Sequence, residues 1–517
     1  MRARRRAAVG IVTVVTLALS GCTPWPFSVG ASGGSHDAAS SRGADQPHVA
    51  ETVAPDLQQF YSQQLNWSRC GEMQCTNATA PLDWEHPGAG TISLQLVRHR
   101  ATGNKLGSLF VNPGGPGGSG ADFVENSLNY AVGDALVRQF DVIGFDPRGV
   151  GRSTAVKCLD DEAMTKYLYD IVPGAIGSDE WIAAQTKAQT AFGEACVKNT
   201  GPLIEHVDTV SAARDLDLLR SIVGDQKLNY LGFSYGTFLG ATYAGLFPAK
   251  VGRLVLDGAL DPAADGLDHS ITQAVGFESA MRSYLTKCLK GKGCPFSGSP
   301  DDGMKQVGAL LDAVAASPLR GDDGREVGYS TLSTAIAYPL YSPQAWDQLT
   351  AMFKDVKSGS AELALQLADA YNDRSATGHY STNLIPAFIA ISCADDSGST
   401  DVATMRREAA TINEAAPYLG PGFGYAGLWC SGMPAAKGKP APISADGADP
   451  ILVIGTTNDP ATPYKWAQAL AKQLSSGVLV TYNGEGHTAY NKSNSCVDRT
   501  VENYFINGTV PKSDPNC

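Results

Sequence analysis

Residues 228–237 of this 517-residue chain have the sequence Leu-Asn-Tyr-Leu-Gly-Phe-Ser-Tyr-Gly-Thr, and they constrain the fold more than any other segment. The segment begins as a short apolar run typical of a buried strand and continues into G-x-S-x-G, with Ser234 between Gly232 and Gly236. Small residues at 236, 240 and 244 predict a helix that can lie close to this strand. The spacing is typical of a nucleophilic serine on a strained strand-to-helix turn. A buried serine in an ordinary turn is the alternative.

A nucleophilic serine needs a general base and an acid that orients it, because an unactivated hydroxyl is a weak nucleophile. Asp459 and His487 follow the last two predicted strands, in the chain order Ser, Asp, His that accompanies this serine motif. His487 is the only histidine after Ser234 that follows a predicted strand. Asp257, which ends an earlier apolar run, is the alternative acid. We favour Asp459 because its strand comes immediately before the strand leading to the histidine. Glu485 is predicted to be a solvated loop residue.

The reaction also needs N–H donors for the oxyanion that forms on the substrate carbonyl. The glycine-rich segment 111–120, Val-Asn-Pro-Gly-Gly-Pro-Gly-Gly-Ser-Gly, follows another predicted strand and has few side chains in the way of its N–H groups. We expect the oxyanion hole to consist of the N–H groups of Gly115 and Tyr235, with Gly114 as the alternative to Gly115.

The same segment supports a different class of function. From Gly115 it matches G-x-G-x-x-G, the dinucleotide fingerprint, and Asp146 ends the next predicted strand. Pro116 lies inside the motif, however, and no amphipathic helix pattern clearly begins at the glycines. An exported protein would also have little access to NAD. We therefore expect no cofactor.

Apolar runs that alternate with helical patterns predict an α/β fold with a mostly parallel sheet. One clear helix covers 208–223, with Asp208 as N-cap and Gly224 as the stop. The strand pattern disappears between 261 and 448, where helical spacing prevails. We predict a core over 56–260 and 449–517, interrupted before its last two strands by a large, mainly helical cap over 261–448. The predicted strands are 92–97, 108–112, 140–145, 228–232, 253–256, 451–454 and 478–482.

The N-terminus predicts export. Four arginines in residues 1–6 precede an apolar run and the sequence Leu-Ser-Gly-Cys, so residues 1–21 are typical of a lipoprotein signal peptide. Cys22 would receive the lipid, and 22–55 would form a flexible tether. The expected location is the outer side of the cytoplasmic membrane, with the protein retained there or shed. Ordinary signal cleavage that leaves a free Cys22 thiol is the alternative.

Export would place the other ten cysteines in an oxidising compartment. Their spacing suggests neighbour pairing without fixing the connectivity: Cys70–Cys75, Cys158–Cys196, Cys288–Cys294, Cys393–Cys430 and Cys496–Cys517. No C-x-x-C or H-E-x-x-H occurs, so no metal is expected. The net charge of −12 disfavours nucleic acid as a partner, and membrane contact is expected only through the anchor. We expect a monomer.

Four segments together resemble the secreted tripeptidyl aminopeptidases, which are α/β-hydrolase serine peptidases related to the proline iminopeptidases. The resemblance extends from about Trp67 to Cys517 and rests on 112–120, Asn-Pro-Gly-Gly-Pro-Gly-Gly-Ser-Gly; 146–153, Asp-Pro-Arg-Gly-Val-Gly-Arg-Ser; 232–236; and 256–258, Leu-Asp-Gly. It implies an α/β-hydrolase fold, a triad of Ser234, Asp459 and His487, and a Cys393–Cys430 disulfide. It also implies release of tripeptides from free N-termini. Pro113 stands where the iminopeptidases have histidine, so single-proline release is not the expected main activity.

A serine nucleophile does not separate a peptidase from an esterase, since both form an acyl-enzyme. A cell-surface carboxylesterase or lipase of the same fold is therefore the alternative. A substrate-binding lipoprotein would leave the serine, aspartate and histidine without a purpose. An exopeptidase must also bind the substrate ammonium, for which a carboxylate is the natural partner. Asp395 and Asp396 in the cap are the candidates, with Asp395 first, and a purely structural role is the alternative for both.

Overall fold

A computed structural model describes residues 51–517. Its main sheet has nine strands in the order β1-β2-β3-β5-β4-β6-β7-β10-β11. The pairs from β1 to β5 are antiparallel, and every pair from β5 to β11 is parallel. The strands are β1 (Ser68–Cys70), β2 (Met73–Pro81), β3 (Thr91–His99), β4 (Gly107–Asn112), β5 (Phe140–Phe145), β6 (Leu228–Phe233), β7 (Val251–Asp257), β10 (Ile451–Asn458) and β11 (Gly477–Glu485).

Helices cover both faces of this sheet because successive strand residues point to opposite sides. Tyr230 and Leu254 pack with one group of helices, whereas Leu231 and Val255 pack with the other. The first group includes α6 (Thr209–Ile222), α7 (Tyr235–Leu246) and α15 (Tyr464–Gln473); the second comprises α2 (Gly120–Ala131), α3 (Asp134–Gln139) and α16 (Ser495–Asn507). The remaining helices before β7 are α1 (Gln58–Tyr61), α4 (Asp161–Tyr169) and α5 (Asp179–Thr200). This architecture confirms the predicted fold.

The chain between β7 and β10 is mainly helical and has a hydrophobic core of its own, built around Met281, Leu311, Leu349 and Phe353. A small hairpin of β8 (Leu319–Arg320) and β9 (Glu326–Val327) accompanies the helices. We refer to this segment as the cap. Its helices are α8 (Gly266–Cys288), α9 (Pro300–Ala316), α10 (Tyr329–Leu340), α11 (Trp346–Lys357), α12 (Glu362–Tyr371), α13 (Leu384–Asp395) and α14 (Val402–Ala415).

All seven predicted strands occur, and the predicted helix with its Asp208 N-cap is α6, where the Asp208 carboxylate accepts the Ser211 N–H. The prediction missed β1 and β2. A helix, α2, does begin at Gly120 with Ser119 as N-cap, contrary to the expectation from the glycine-rich segment. Within residues 51–517 no helix is long and apolar enough to span a membrane.

The N-terminal predictions lie mostly outside the described residues: the signal peptide, Cys22 and the tether up to residue 50. The last part of the predicted tether is described. There Glu51 accepts hydrogen bonds from the buried Arg220 and from Lys250, so chain packed against the core is present five residues before the predicted core boundary. The other ten cysteines form five disulfides with the pairing suggested by their spacing.

Candidate active site

Ser234 lies on the turn between β6 and α7, and its backbone has φ 55° and ψ −124°. This is a strained conformation for a residue with a side chain, and it persists because the surroundings hold it. The Ser234 N–H donates to the Asp257 carbonyl at 2.9 Å, and its own carbonyl accepts the Thr237 hydroxyl at 2.6 Å. The turn therefore presents the serine side chain at the carboxyl ends of the parallel strands.

The glycine-rich loop after β4 lies directly against this turn. At Gly114, where φ is +97°, an added Cβ would lie 2.5 Å from the Phe233 carbonyl oxygen and 2.9 Å from Ser234 Cβ. Only glycine allows such an approach. The Gly114 N–H is engaged, because it donates to Asn112 Oδ1 at 2.9 Å.

The N–H of Gly115, the next residue of this loop, is not engaged in the way that the Gly114 N–H is. Among the described residues, neither the N–H of Gly115 nor that of Tyr235 has a protein acceptor. Both groups are free to donate to an oxygen placed near Ser234. The hydrogen bonding thus favours Gly115 over the alternative, Gly114, as the second oxyanion donor.

His487 follows β11, and its ring faces Asp459 at the end of β10. His487 Nδ1 lies 2.9 and 3.0 Å from the two carboxylate oxygens of Asp459. The Asp459 side chain is fully buried and that of His487 is 11% exposed. The carboxylate is held by the N–H groups of Ala461 and Thr462, both at 2.9 Å, and by the Thr462 hydroxyl at 3.0 Å.

Asp257 and Gly258, at the end of β7, contact both the serine turn and the His487 ring. An added Cβ at Gly258 would lie 3.2 Å from His487 Cε1, and the preceding residue, Asp257, accepts the Ser234 N–H. In the described chain no hydrogen bond joins Ser234 Oγ to His487 Nε2. Such catalytic hydrogen bonds are often long in unliganded enzymes and tighten when substrate binds.

Asp257 has a different role from Asp459. It is fully buried, and its carboxylate accepts the N–H groups of Ala489 at 3.0 Å and Tyr490 at 2.8 Å. Burial raises the pKa of Asp257, and these N–H donors oppose the rise. Asp257 thus anchors the backbone just after His487, while Asp459 contacts the imidazole.

The two cap carboxylates that sequence reasoning put forward for substrate binding lie at the end of α13. Asp395 accepts the Thr209 N–H at 2.7 Å and lies 2.5 Å from the Thr209 hydroxyl, which is 2.5 Å from the Tyr235 hydroxyl. Burial raises the pKa of Asp395 to about 7. Both of its oxygens are engaged, which fits the structural alternative. Asp396 accepts the Gly398 N–H at 3.0 Å, and within residues 51–517 no other hydrogen bond to it is found.

Three contacts of the site were missed by sequence reasoning. Thr462 lies beside both Asp459 and His487. The backbone carbonyl of Tyr341, from the cap, accepts the backbone N–H of His487 at 2.8 Å, and the Tyr341 ring stands edge-on to the imidazole at a centroid distance of 5.3 Å. Glu485 is not a solvated loop residue, because it bonds to Ser283 of cap helix α8. Only Thr462 had a local signal, the Asp-Pro-Ala-Thr turn ahead of α15.

The dinucleotide alternative finds no support in this geometry. Asp146, which would bind a ribose in that interpretation, accepts from the Ser119 hydroxyl at 2.5 Å and the Ala121 N–H at 3.0 Å. The loop itself is covered, since an added Cβ at Gly117 would lie 2.6 Å from the Leu384 carbonyl oxygen of α13. Among the described residues no cluster of side chains suited to a metal ion is present.

Comparisons with known proteins find similar hydrolases. A family model described as TAP-like protein matches residues 416–517. Serine protease Hip1 of Mycobacterium tuberculosis is 36% identical over 480 residues, covering 88% of this chain and 91% of the relative. Carboxylesterase B of the same organism is 36% identical over 494 residues, covering 92% of each chain. Tripeptidyl aminopeptidase of Streptomyces lividans is 29% identical over 462 residues, covering 87% of this chain and 85% of the relative.

The fold and these relatives define a serine hydrolase of the α/β-hydrolase class. Within that class, the similarity to Serine protease Hip1, 36% identical over 91% of that relative, is high enough to assign the family. The chain belongs to the tripeptidyl aminopeptidase (TAP) family of serine peptidases.

Proposed function

We propose that the protein is an exported serine exopeptidase that releases short peptides, chiefly tripeptides, from free N-termini through an acyl-enzyme on Ser234. The observation that carries the proposal is the His487–Asp459 pair at 2.9 Å beside a serine on a strained strand-to-helix turn. Relatives named serine protease and tripeptidyl aminopeptidase support a peptide substrate.

In the proposed mechanism Ser234 Oγ attacks the scissile carbonyl carbon while His487 Nε2 takes the hydroxyl proton. Asp459 holds the Nδ1–H side of the ring and stabilises the imidazolium. The N–H groups of Gly115 and Tyr235 donate to the oxyanion. The imidazolium then gives its proton to the leaving amine, which departs as the C–N bond breaks. Water hydrolyses the resulting ester by the same steps, which releases the N-terminal fragment and restores the serine.

We propose that the cap limits this chemistry to chain ends. It supplies Tyr341 next to His487 and covers the oxyanion loop with α13. A cap carboxylate at a set distance from Ser234 would hold the substrate ammonium and so fix the fragment length. Asp396 suits this role better than Asp395, whose oxygens are engaged by Thr209. Peptides with free N-termini are the expected partners.

The export and the lipid anchor at Cys22 are supported by the sequence of residues 1–22, which has a basic start, an apolar run and Leu-Ser-Gly-Cys. Five disulfides in the described chain are what an oxidising compartment favours. We infer attachment to the outer side of the cytoplasmic membrane, with no other membrane contact.

A second candidate function is that of a carboxylesterase, because the relative named Carboxylesterase B is as similar as the named protease. The two functions share the acyl-enzyme and differ in the leaving group and in the need for a free amine.

The deciding experiment compares the ectodomain on a tripeptide anilide, the same peptide with an acetylated N-terminus, and a p-nitrophenyl ester. Loss of a charge-assisted pair in a partly desolvated site should lower kcat/KM for the acetylated peptide by about 30- to 1000-fold. Asp396→Asn should reduce turnover of the free peptide to a similar extent and have little effect on the acetylated one. Equal cleavage of both peptides, or turnover of the ester alone, would favour the esterase.

A further inference from the structure

A polar cluster joins the cap to the ends of the two strands that lead into the proposed triad. The Asn458 side chain is its centre. Asn458 Oδ1 accepts the Ser279 hydroxyl at 2.5 Å, and Asn458 Nδ2 donates to Ser283 Oγ at 3.0 Å and to a carboxylate oxygen of Glu485. The Ser283 hydroxyl donates to the other Glu485 oxygen at 2.9 Å. All four side chains are half-buried.

The place of this cluster in the fold ties it to the site. Asn458 and Glu485 are direct partners in the register of the parallel pair β10–β11. Asn458 immediately precedes Asp459, and only Gly486 separates Glu485 from His487. The contact between Asn458 and Glu485 therefore lies at the carboxyl ends of both strands. There it can influence the distance between Asp459 and His487, which follow these ends.

The cap contributes the two serines of the cluster, one helical turn apart on a single face of α8. The Glu485 carboxylate only accepts, so the Asn458 amide turns its NH2 group toward it. The helix supports this orientation, because the Ser279 hydroxyl donates to the Asn458 Oδ1 that then faces α8. Reversal of the amide would place its oxygen against the carboxylate.

We propose that Asn458 and Glu485 are positioning residues that hold Asp459 and His487 at hydrogen-bond distance, and that α8 couples the seating of the cap to this alignment. The inference rests on the proposed function, because it takes Asp459 and His487 as the acid and base. Neither Asn458 nor Glu485 touches the reacting atoms. A displaced cap helix would release the amide and allow the two strand ends to separate.

The test exchanges the amide and the carboxylate. Asn458→Asp alone sets two carboxylates face to face. Glu485→Gln alone can turn its amide oxygen to Asn458 Nδ2, so it keeps this hydrogen bond and loses only the charge and one acceptor oxygen. The double variant restores one amide and one carboxylate across the same pair. On a tripeptide anilide Asn458→Asp should lose about 10- to 100-fold in kcat, with KM within about twofold, because the misalignment affects the reacting groups. Glu485→Gln should lose at most about threefold, because its hydrogen bond to Asn458 can be kept. The double variant should recover to within about threefold of the wild type.

Thermal unfolding and fluorophosphonate labelling of each protein separate the possible outcomes. Glu72→Gln, an exposed glutamate on the hairpin of β1 and β2, is the matched control and should match the wild type. Ser279→Ala keeps the Asn458–Glu485 pair and removes the hydroxyl that holds the Asn458 amide. We expect a several-fold loss of kcat at an unchanged Tm. This variant tests the inference even if one of the variants at 458 or 485 does not fold. Wild-type kcat in Asn458→Asp and in Ser279→Ala, or no recovery in a folded double variant, would overturn the inference. A wild-type protein that is neither labelled nor active would overturn the proposed function instead.

Discussion

Two buried aspartates bind the segment that carries the proposed base, and each binds different atoms of it. Asp459 contacts the imidazole of His487, whereas Asp257 binds the backbone N–H groups of Ala489 and Tyr490. An acid that orients a histidine must accept from its ring, and only the contacts of Asp459 satisfy this condition. The order of the strands favoured Asp459 in the sequence and left Asp257 as the alternative. The contacts separate the two residues, because they depend on which way each strand end points.

Substitution of the two aspartates should therefore separate activity from stability. We expect Asp459→Asn to lower kcat by roughly 10³–10⁴, because the imidazole loses the group that fixes its tautomer and orientation. Asp257→Asn should affect kcat much less and should lower the free energy of unfolding by about 1–3 kcal/mol, since one oxygen becomes a buried NH2 group that faces the Ala489 N–H. Steady-state kinetics and urea unfolding of both variants measure the two effects. The opposite ranking in kcat would move the acid to Asp257.

At the scale of single elements, the glycine-rich loop after β4 packs directly against the turn that carries Ser234, and this contact positions its N–H groups. Gly114 leaves no room for a side chain, because an added Cβ would lie 2.5 Å from the backbone oxygen of Phe233. A larger residue must move the loop away from the turn and carry Gly115, the proposed oxyanion donor, with it.

We therefore expect Gly114→Ala to lower kcat on a tripeptide anilide by about 10²–10³, the typical effect of losing one oxyanion donor, with a small change in KM. Gly88→Ala is the control, since its Cβ would lie in open space. A Gly114→Ala enzyme that folds normally and retains wild-type kcat would show that this loop does not supply the donor.

Elements with a local signal could be predicted from the sequence. The seven predicted strands contain local apolar patterns, as in β5, in which every residue is buried, and α6 begins at the expected N-cap. The missed strand β1 is short and largely exposed, so it lacks an apolar run. The surroundings of Glu485 could not be predicted either, because its partner Ser283 is 202 residues away in a cap helix whose docking has no local pattern.

At the scale of the whole molecule, the cap and the core meet through buried polar groups as well as apolar ones. Asp395 at the end of α13 binds Thr209 at the start of α6, and Thr209 in turn contacts the hydroxyl of Tyr235. Burial of this carboxyl raises its pKa to about 7; the hydrogen bonds from Thr209 oppose the rise, and the charges of Asp208 and Asp396 add to it. Below about pH 7 the Asp395 carboxyl at this junction is therefore mostly protonated.

This carboxyl makes the stability of the fold depend on pH with a definite sign. Between about pH 4 and pH 7 the folded protein binds a proton that the unfolded chain releases, so the contribution of Asp395 to stability falls as pH rises through this window. In Asp395→Asn the amide can replace the protonated carboxyl, with Nδ2 donating to the Thr209 hydroxyl and Oδ1 accepting the Thr209 N–H. We expect the variant to match the wild type near pH 4 and to exceed it at pH 8 by an amount on the order of 2–4 kcal/mol in the free energy of unfolding. Urea unfolding at both pH values, with the exposed Asp446→Asn as control, measures the difference. An Asp395→Asn variant less stable than the wild type at pH 8 would mean that the carboxylate is the preferred form at this junction, and that its charge stabilises the contact between cap and core.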